Sequence, residues 1–135
     1  MRGGRGFSLP ELVITLVIAA ILAAVSLPYF TDSESKATWF QEQVKAAVRY
    51  AQRQAVAQRR LVYVCVQSTQ IKLGYDAACS AGNEITSYRL NAPSGVTISP
   101  IATFYFNGLG QPSAGTSLSV GGKTVIVSAE TGYVP

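Results

Sequence analysis

Histidine is absent from the 135-residue chain, and charged residues make up 13% of it, about half the share usual in soluble domains. Without histidine the chain lacks the commonest general base and metal ligand. Two cysteines are too few for a zinc site, which normally takes four ligands. No Asp cluster of the calcium-binding kind is present, and no phosphate loop, catalytic triad or paired-carboxylate signature occurs. Gly108-Leu109-Gly110 follows a strand-like run but lacks a third glycine and a helix, so it reads as a turn. The expectation is a protein that is not an enzyme and holds no cofactor and no metal. An apolar share of 48% and 12 glycines without a period also exclude disorder and collagen-like repeats.

The charge that is present is unevenly spread. Residues 1–31 carry Arg2, Arg5 and Glu11, for +1. Residues 32–60 hold six basic and three acidic side chains, for +3. Residues 61–135 balance Lys72, Arg89 and Lys123 against Asp76, Glu84 and Glu130. The C-terminal half therefore has no net field to attract an anionic polymer.

Phe7 to Leu27 is an apolar run broken by Ser8, Pro10, Glu11, Thr15 and Ser26, and no charge occurs from Leu12 to Thr31. About 20 helical residues reach about 30 Å, the thickness of a hydrocarbon core. A membrane span is expected over residues 7–30, with Arg2 and Arg5 keeping the N-terminus cytoplasmic. Glu11 is out of place, because a carboxylate in an apolar helix costs roughly 2.5–3.5 kcal/mol on insertion scales. It either snorkels to the interface or is retained for a partner. A secretory signal peptide cut near Ala24-Val25-Ser26, or a plain anchor, is the competing reading. Pro10, Glu11 and the length of the run argue against the signal peptide.

Gly6-Phe7-Ser8-Leu9-Pro10-Glu11-Leu12, the apolar run and Pro28 together resemble the start of a type IV pilin or type II secretion pseudopilin precursor. The resemblance implies that a prepilin peptidase cleaves after Gly6 and methylates the amino group of Phe7. It also implies that Glu11 and Pro28 are assembly residues. In a filament the Glu11 carboxylate would meet the amino terminus of a neighbouring subunit, so that its desolvation is offset only on assembly. Pro10 departs from the aliphatic residue of many major pilins, yet a first-turn proline lacks only an N–H that has no helical partner. Cleavage would remove Arg2 and Arg5 and leave nine basic against seven acidic side chains.

Beyond Pro28 a polar stretch, Thr31 to Ser35, offers caps for a second helix. Over residues 31–60 Phe40, Val44, Ala47, Val48, Ala51 and Ala55 recur at spacings of three and four, which predicts one narrow apolar face. Lys45, Arg49 and Arg53, followed by Arg59 and Arg60, form a basic stripe beside it. Three readings stay open for the stripe: a solvated helix face, pairing with carboxylates of neighbouring subunits, and phosphate contact with DNA.

From residue 61 the pattern changes to short strands: Leu61–Val66, Ile71–Tyr75, Ile85–Leu90, Val96–Ser99, Thr103–Phe106, Leu118–Val120 and Thr124–Val127. Gly121-Gly122 signals a two-residue hairpin. Cys65 and Cys79 would close a loop of about 15 residues, worth about 3 kcal/mol if bridged in an oxidising compartment. The fold class is α+β.

Phe104 to Pro112, Lys123 to Ser128 and Thr131-Gly132-Tyr133 are similar to the C-terminal sheet of the GspH/FimT family, which includes H-type pseudopilins and FimT- or FimU-like minor pilins. The resemblance implies a leader peptide over 1–6, a transmembrane and assembly helix over 7–30, an amphipathic helix over 31–60 and a β-rich head over 61–135. It implies a structural minor pilin, with the H pseudopilin of a secretion system and a DNA-binding pilus receptor as alternatives. The partners implied are other pilin or pseudopilin subunits, the prepilin peptidase, the inner-membrane assembly platform, the membrane and, more remotely, DNA. The arginine-rich C-terminal motif of DNA-uptake members is missing, since no arginine follows Arg89. The head would be periplasmic before assembly and exposed on the filament afterwards.

Overall fold

A computed structural model describes residues 7–26 and 33–135. The chain divides into two compact units, with the boundary between Asp32 and Ser33. The amphipathic segment thus shares a unit with the β-rich head.

In the first unit, α1 runs from Leu9 to Ser26, 18 residues. The Ser8 carbonyl accepts from the Leu12 N–H at 3.1 Å to close the first turn. Pro10 lies in that turn, and Glu11 there complements the positive end of the helix dipole. At 1.5 Å per residue α1 reaches about 27 Å, short of a hydrocarbon core of about 30 Å. No helix among the described residues is long and apolar enough to cross a membrane. The span expected over 7–30 reaches past this helix into residues 27–30, which lie outside the described part.

In the second unit, α2 runs from Ser33 to Gln58, 26 residues. All six residues of the apolar face foreseen from the spacing are buried, and Ala37 joins them. Arg59 ends the helix in the left-handed conformation, with φ of 50°. The Arg60 N–H donates to the Ala55 carbonyl at 3.2 Å and the Arg59 N–H to that of Val56 at 3.3 Å. This is a Schellman cap built on arginine instead of the usual glycine.

Seven strands follow: β1 (Val62–Val66), β2 (Gln70–Gly74), β3 (Glu84–Asn91), β4 (Ile98–Ser99), β5 (Ala102–Phe106), β6 (Thr116–Val120) and β7 (Lys123–Val127). They form two sheets, one of order β3-β2-β1-β5 and one of order β4-β6-β7. Every pairing is antiparallel. Alternation along β1 sends Val62, Val64 and Val66 into the core, while Tyr63 pairs with Tyr105 of β5. Helix α2 packs on both sheets, most closely on β1 and β7. Phe40, Val44, Val48, Val64, Phe106 and Leu118 all belong to one core cluster. Gly121 and Gly122 make the β6–β7 turn with φ of 56° and 83°, as a primed hairpin turn requires. A Cβ at Gly121 would come within 2.7 Å of the Ala37 Cβ, so two small residues let the hairpin approach the helix.

Candidate assembly site

Helix α1 shows its apolar side chains to the outside. Leu9, Ile14, Leu16, Ile21, Leu22 and Val25 are each more than half exposed. Phe7, ahead of the helix, is 75% exposed. One turn later Glu11 stands exposed among these side chains. No ion pair to it occurs among the described residues. A surface of this composition is unstable in water and fits an apolar environment or other helices. Gly6 and Pro28, expected as the cleavage and assembly residues, lie outside the described residues.

The five cations foreseen as one stripe are separated by the fold. Lys45, Arg49 and Arg53 are on α2, whereas Arg59 and Arg60 lie beyond its end. Lys45 pairs with Glu42 at 3.0 Å. Arg49 donates from Nε and Nη2 to the Val134 carbonyl at 3.2 and 3.0 Å, tying the 1%-exposed Val134 to the helix. The Arg60 guanidinium stacks 3.9 Å above the ring of Tyr75, whose hydroxyl accepts from Gln58 at 3.1 Å. Only Arg53 and Arg59 are left without a partner among the described residues. Cations committed to intramolecular contacts are less available to a polyanion.

Spacing and composition single out none of several positioning residues. Gln52 Nε2 donates to the carbonyls of Gly110 at 2.9 Å and Thr131 at 2.8 Å, securing the β5–β6 loop and the C-terminal segment. Gln41 Nε2 donates to the Thr124 carbonyl at 2.8 Å on β7. These partners lie 58 to 83 residues away in the chain, so no local pattern could reveal them.

Cys65 on β1 and Cys79 form a disulfide. Between them Asp76 accepts from the Ser80 N–H at 3.0 Å and from the Ser80 hydroxyl. Asn83 donates to the same carboxylate at 3.3 Å. The Ser80 hydroxyl and then its N–H hold the Asp76 carboxyl below its usual pKa of 3.8. The next strand begins with Glu84, bound in a fork by Arg89 Nε at 2.8 Å and Nη2 at 2.6 Å. That hydrogen bonding keeps Glu84 below its usual value of 4.5 and raises Arg89. A Cβ at Gly74 would come within 3.0 Å of the Cys79 Cα, so the bridged loop sits directly against β2.

An exposed apolar helix ahead of a disulfide-bridged head is matched by two family models. Residues 1–27 match the prokaryotic N-terminal methylation motif, and residues 41–132 match the type II transport protein GspH. The chain belongs to the GspH family. Solved structures of similar fold include two crystal forms of the type IV minor pilin FimU of Pseudomonas aeruginosa. One aligns with a TM-score of 0.61 over 73% of this chain and 90% of that one. The other aligns with a TM-score of 0.63 over 76% and 88%. Each is 16% identical in sequence, so the likeness is one of fold. No curated protein matches the chain. This GspH-family protein carries the N-terminal methylation motif and has a fold like that of a type IV minor pilin. The methylation motif and the family imply a membrane-anchored component.

Proposed function

We propose that the protein is a minor pilin that is incorporated into a type IV pilus or primes its assembly. The observation that carries this reading is α1, an apolar helix with its side chains exposed and one carboxylate in its first turn. Before assembly the segment around α1 anchors the protein in the inner membrane, with the N-terminus cytoplasmic and the head periplasmic. Prepilin peptidase cleaves after Gly6 and methylates Phe7. After extraction α1 lies in the filament core, where the Glu11 carboxylate accepts the charged amino terminus of the next subunit. A buried carboxylate is costly unless paired, so a subunit out of register is penalised and the correct register is selected. Pro28 interrupts the segment between the anchor and the head.

The membrane, the assembly platform and other pilin subunits are the partners in this account. DNA is not, because Lys45, Arg49 and Arg60 are engaged within the head and the β-rich part is neutral. Mass spectrometry of the protein recovered from sheared filaments tests the reading. A mature chain beginning at Phe7 with one added methyl group is expected. A chain that begins near Leu27, or one retaining Met1, would contradict it.

A further inference from the structure

Trp39, the sole tryptophan, is 60% exposed near the start of α2. An indole ring left in water is a large apolar exposure, and among the described residues nothing accepts its N–H. Lys36, Gln43, Ala46 and Tyr50 recur with it at spacings of three and four, so they share one side of the helix. No carboxylate is among them. The two acidic side chains nearest to Trp39 along α2 are both paired, Glu34 with Lys123 at 3.7 Å and Glu42 with Lys45 at 3.0 Å. This side of α2 therefore offers an aromatic ring with a lysine one turn before it and no free negative charge. At a membrane–water interface an indole sits at the level of the lipid headgroups, and a lysine lays its stem along apolar surface while its ammonium reaches phosphate.

Chain length decides which surface is within reach. Only residues 27–32 lie between α1 and α2, and the seven Cα steps from Ser26 to Ser33 extend at most about 25 Å. Trp39 stands six residues into α2, about 9 Å along its axis. With the α1 segment held in a bilayer, the first two turns of α2 are the part of the head tied closest to that bilayer. The headgroup layer is about 5–8 Å deep. An α2 inclined along the leaflet brings Trp39 into this layer, whereas an upright α2 lifts it into water.

We infer that before assembly the head rests on the periplasmic leaflet of the inner membrane through this side of α2, with the Trp39 ring among the headgroups and Lys36 on lipid phosphate. The inference rests on the membrane-anchored reading of the α1 segment and adds a second point of attachment to it. Interfacial binding scales with the apolar area buried. One ring and one cation therefore make a contact that is weak beside the anchor: it sets the inclination of the head without holding the subunit against extraction.

The test uses full-length protein reconstituted into vesicles of phosphatidylethanolamine and phosphatidylglycerol, where Trp39 is the only indole. Flotation after an alkaline wash reports the anchor, and Trp39 emission reports the contact. Emission shifted to the blue of tryptophan amide in water is expected, with stronger quenching by lipids brominated high on the acyl chain than by lipids brominated near its end. Ala46→Glu puts a carboxylate on the same side of α2 at an exposed position and should abolish both the shift and the quenching. Ser117→Glu, on the exposed side of β6, should leave them unchanged. Denaturant unfolding of both variants checks that the head is intact. Protein that floats while Trp39 emits as in water and escapes the bromines would overturn the contact and leave the anchor standing. Quenching that survives Ala46→Glu, or a blue shift that arises only in assembled filaments, would overturn it equally. Release of the protein by the alkaline wash would overturn the anchored reading and the contact with it.

Discussion

Helix α1 is mostly aliphatic and α2 mostly polar, and the two use their apolar side chains in opposite ways. In α2 the apolar residues form one stripe that is covered by two sheets, and its polar side chains reach distant backbone carbonyls. In α1 the apolar residues surround the axis and stay exposed, and its single charge has no partner among the described residues. The lesson is that α2 completes its interactions within one chain, whereas α1 leaves its own to be completed by other molecules. Stability of the head and competence for assembly should therefore be separable by mutation.

The sharpest way to break the α2 side is Phe40→Ala, which empties a site of 0% exposure and should cost the head about 3–5 kcal/mol, measured by denaturant unfolding. Replacing both Cys65 and Cys79 by serine comes next. Loss of the bridge should cost about 3 kcal/mol, read from the shift in unfolding midpoint and reversed in part by refilling the site with alanine and valine. Arg49→Ala should cost about 1–3 kcal/mol, because the carbonyl of the buried Val134 loses both donors. Hydrogen exchange should rise at residues 128–134 first.

A smaller effect is expected from pH. Asp76 and Glu84 both have folded-state pKa values below their ordinary values of 3.8 and 4.5. A depressed carboxyl binds its proton more weakly in the folded chain than in the unfolded one. Its contribution is therefore complete above the ordinary value and is lost as pH falls through the lower folded value. Unfolding midpoints should fall between about pH 5 and pH 2. Asp76→Asn combined with Glu84→Gln should flatten that slope while leaving the midpoint at neutral pH lower and constant.

The same contrast governs what could be read from residue order. The buried face of α2 was legible because Phe40, Val44, Val48 and Ala55 share one helical period, a local signal. Strands β1 and β7 were legible from β-branched runs, and the hairpin from Gly121-Gly122. The bridge was legible because two cysteines allow one intrachain pairing. The division into two sheets was not, because β5 pairs with β1 across some 40 intervening positions and such pairing leaves no local mark. The partner of Arg49 left no local mark for a related reason: its acceptor lies 85 residues along the chain. Arg60 leaves the stripe because Arg59 turns left-handed where glycine would ordinarily mark the turn. At the N-terminus the motif around Glu11 was legible from type and spacing, and residues 1–27 match the methylation motif.

Glu11→Ala tests the central claim most directly, with filament yield and head stability measured on the same variant. The account predicts that unfolding of the head is unchanged within about 0.5 kcal/mol while incorporation of the subunit into filaments is lost, and that Glu11→Asp recovers part of it. Normal incorporation of Glu11→Ala would contradict the account, since the one charge in α1 would then have no role in assembly.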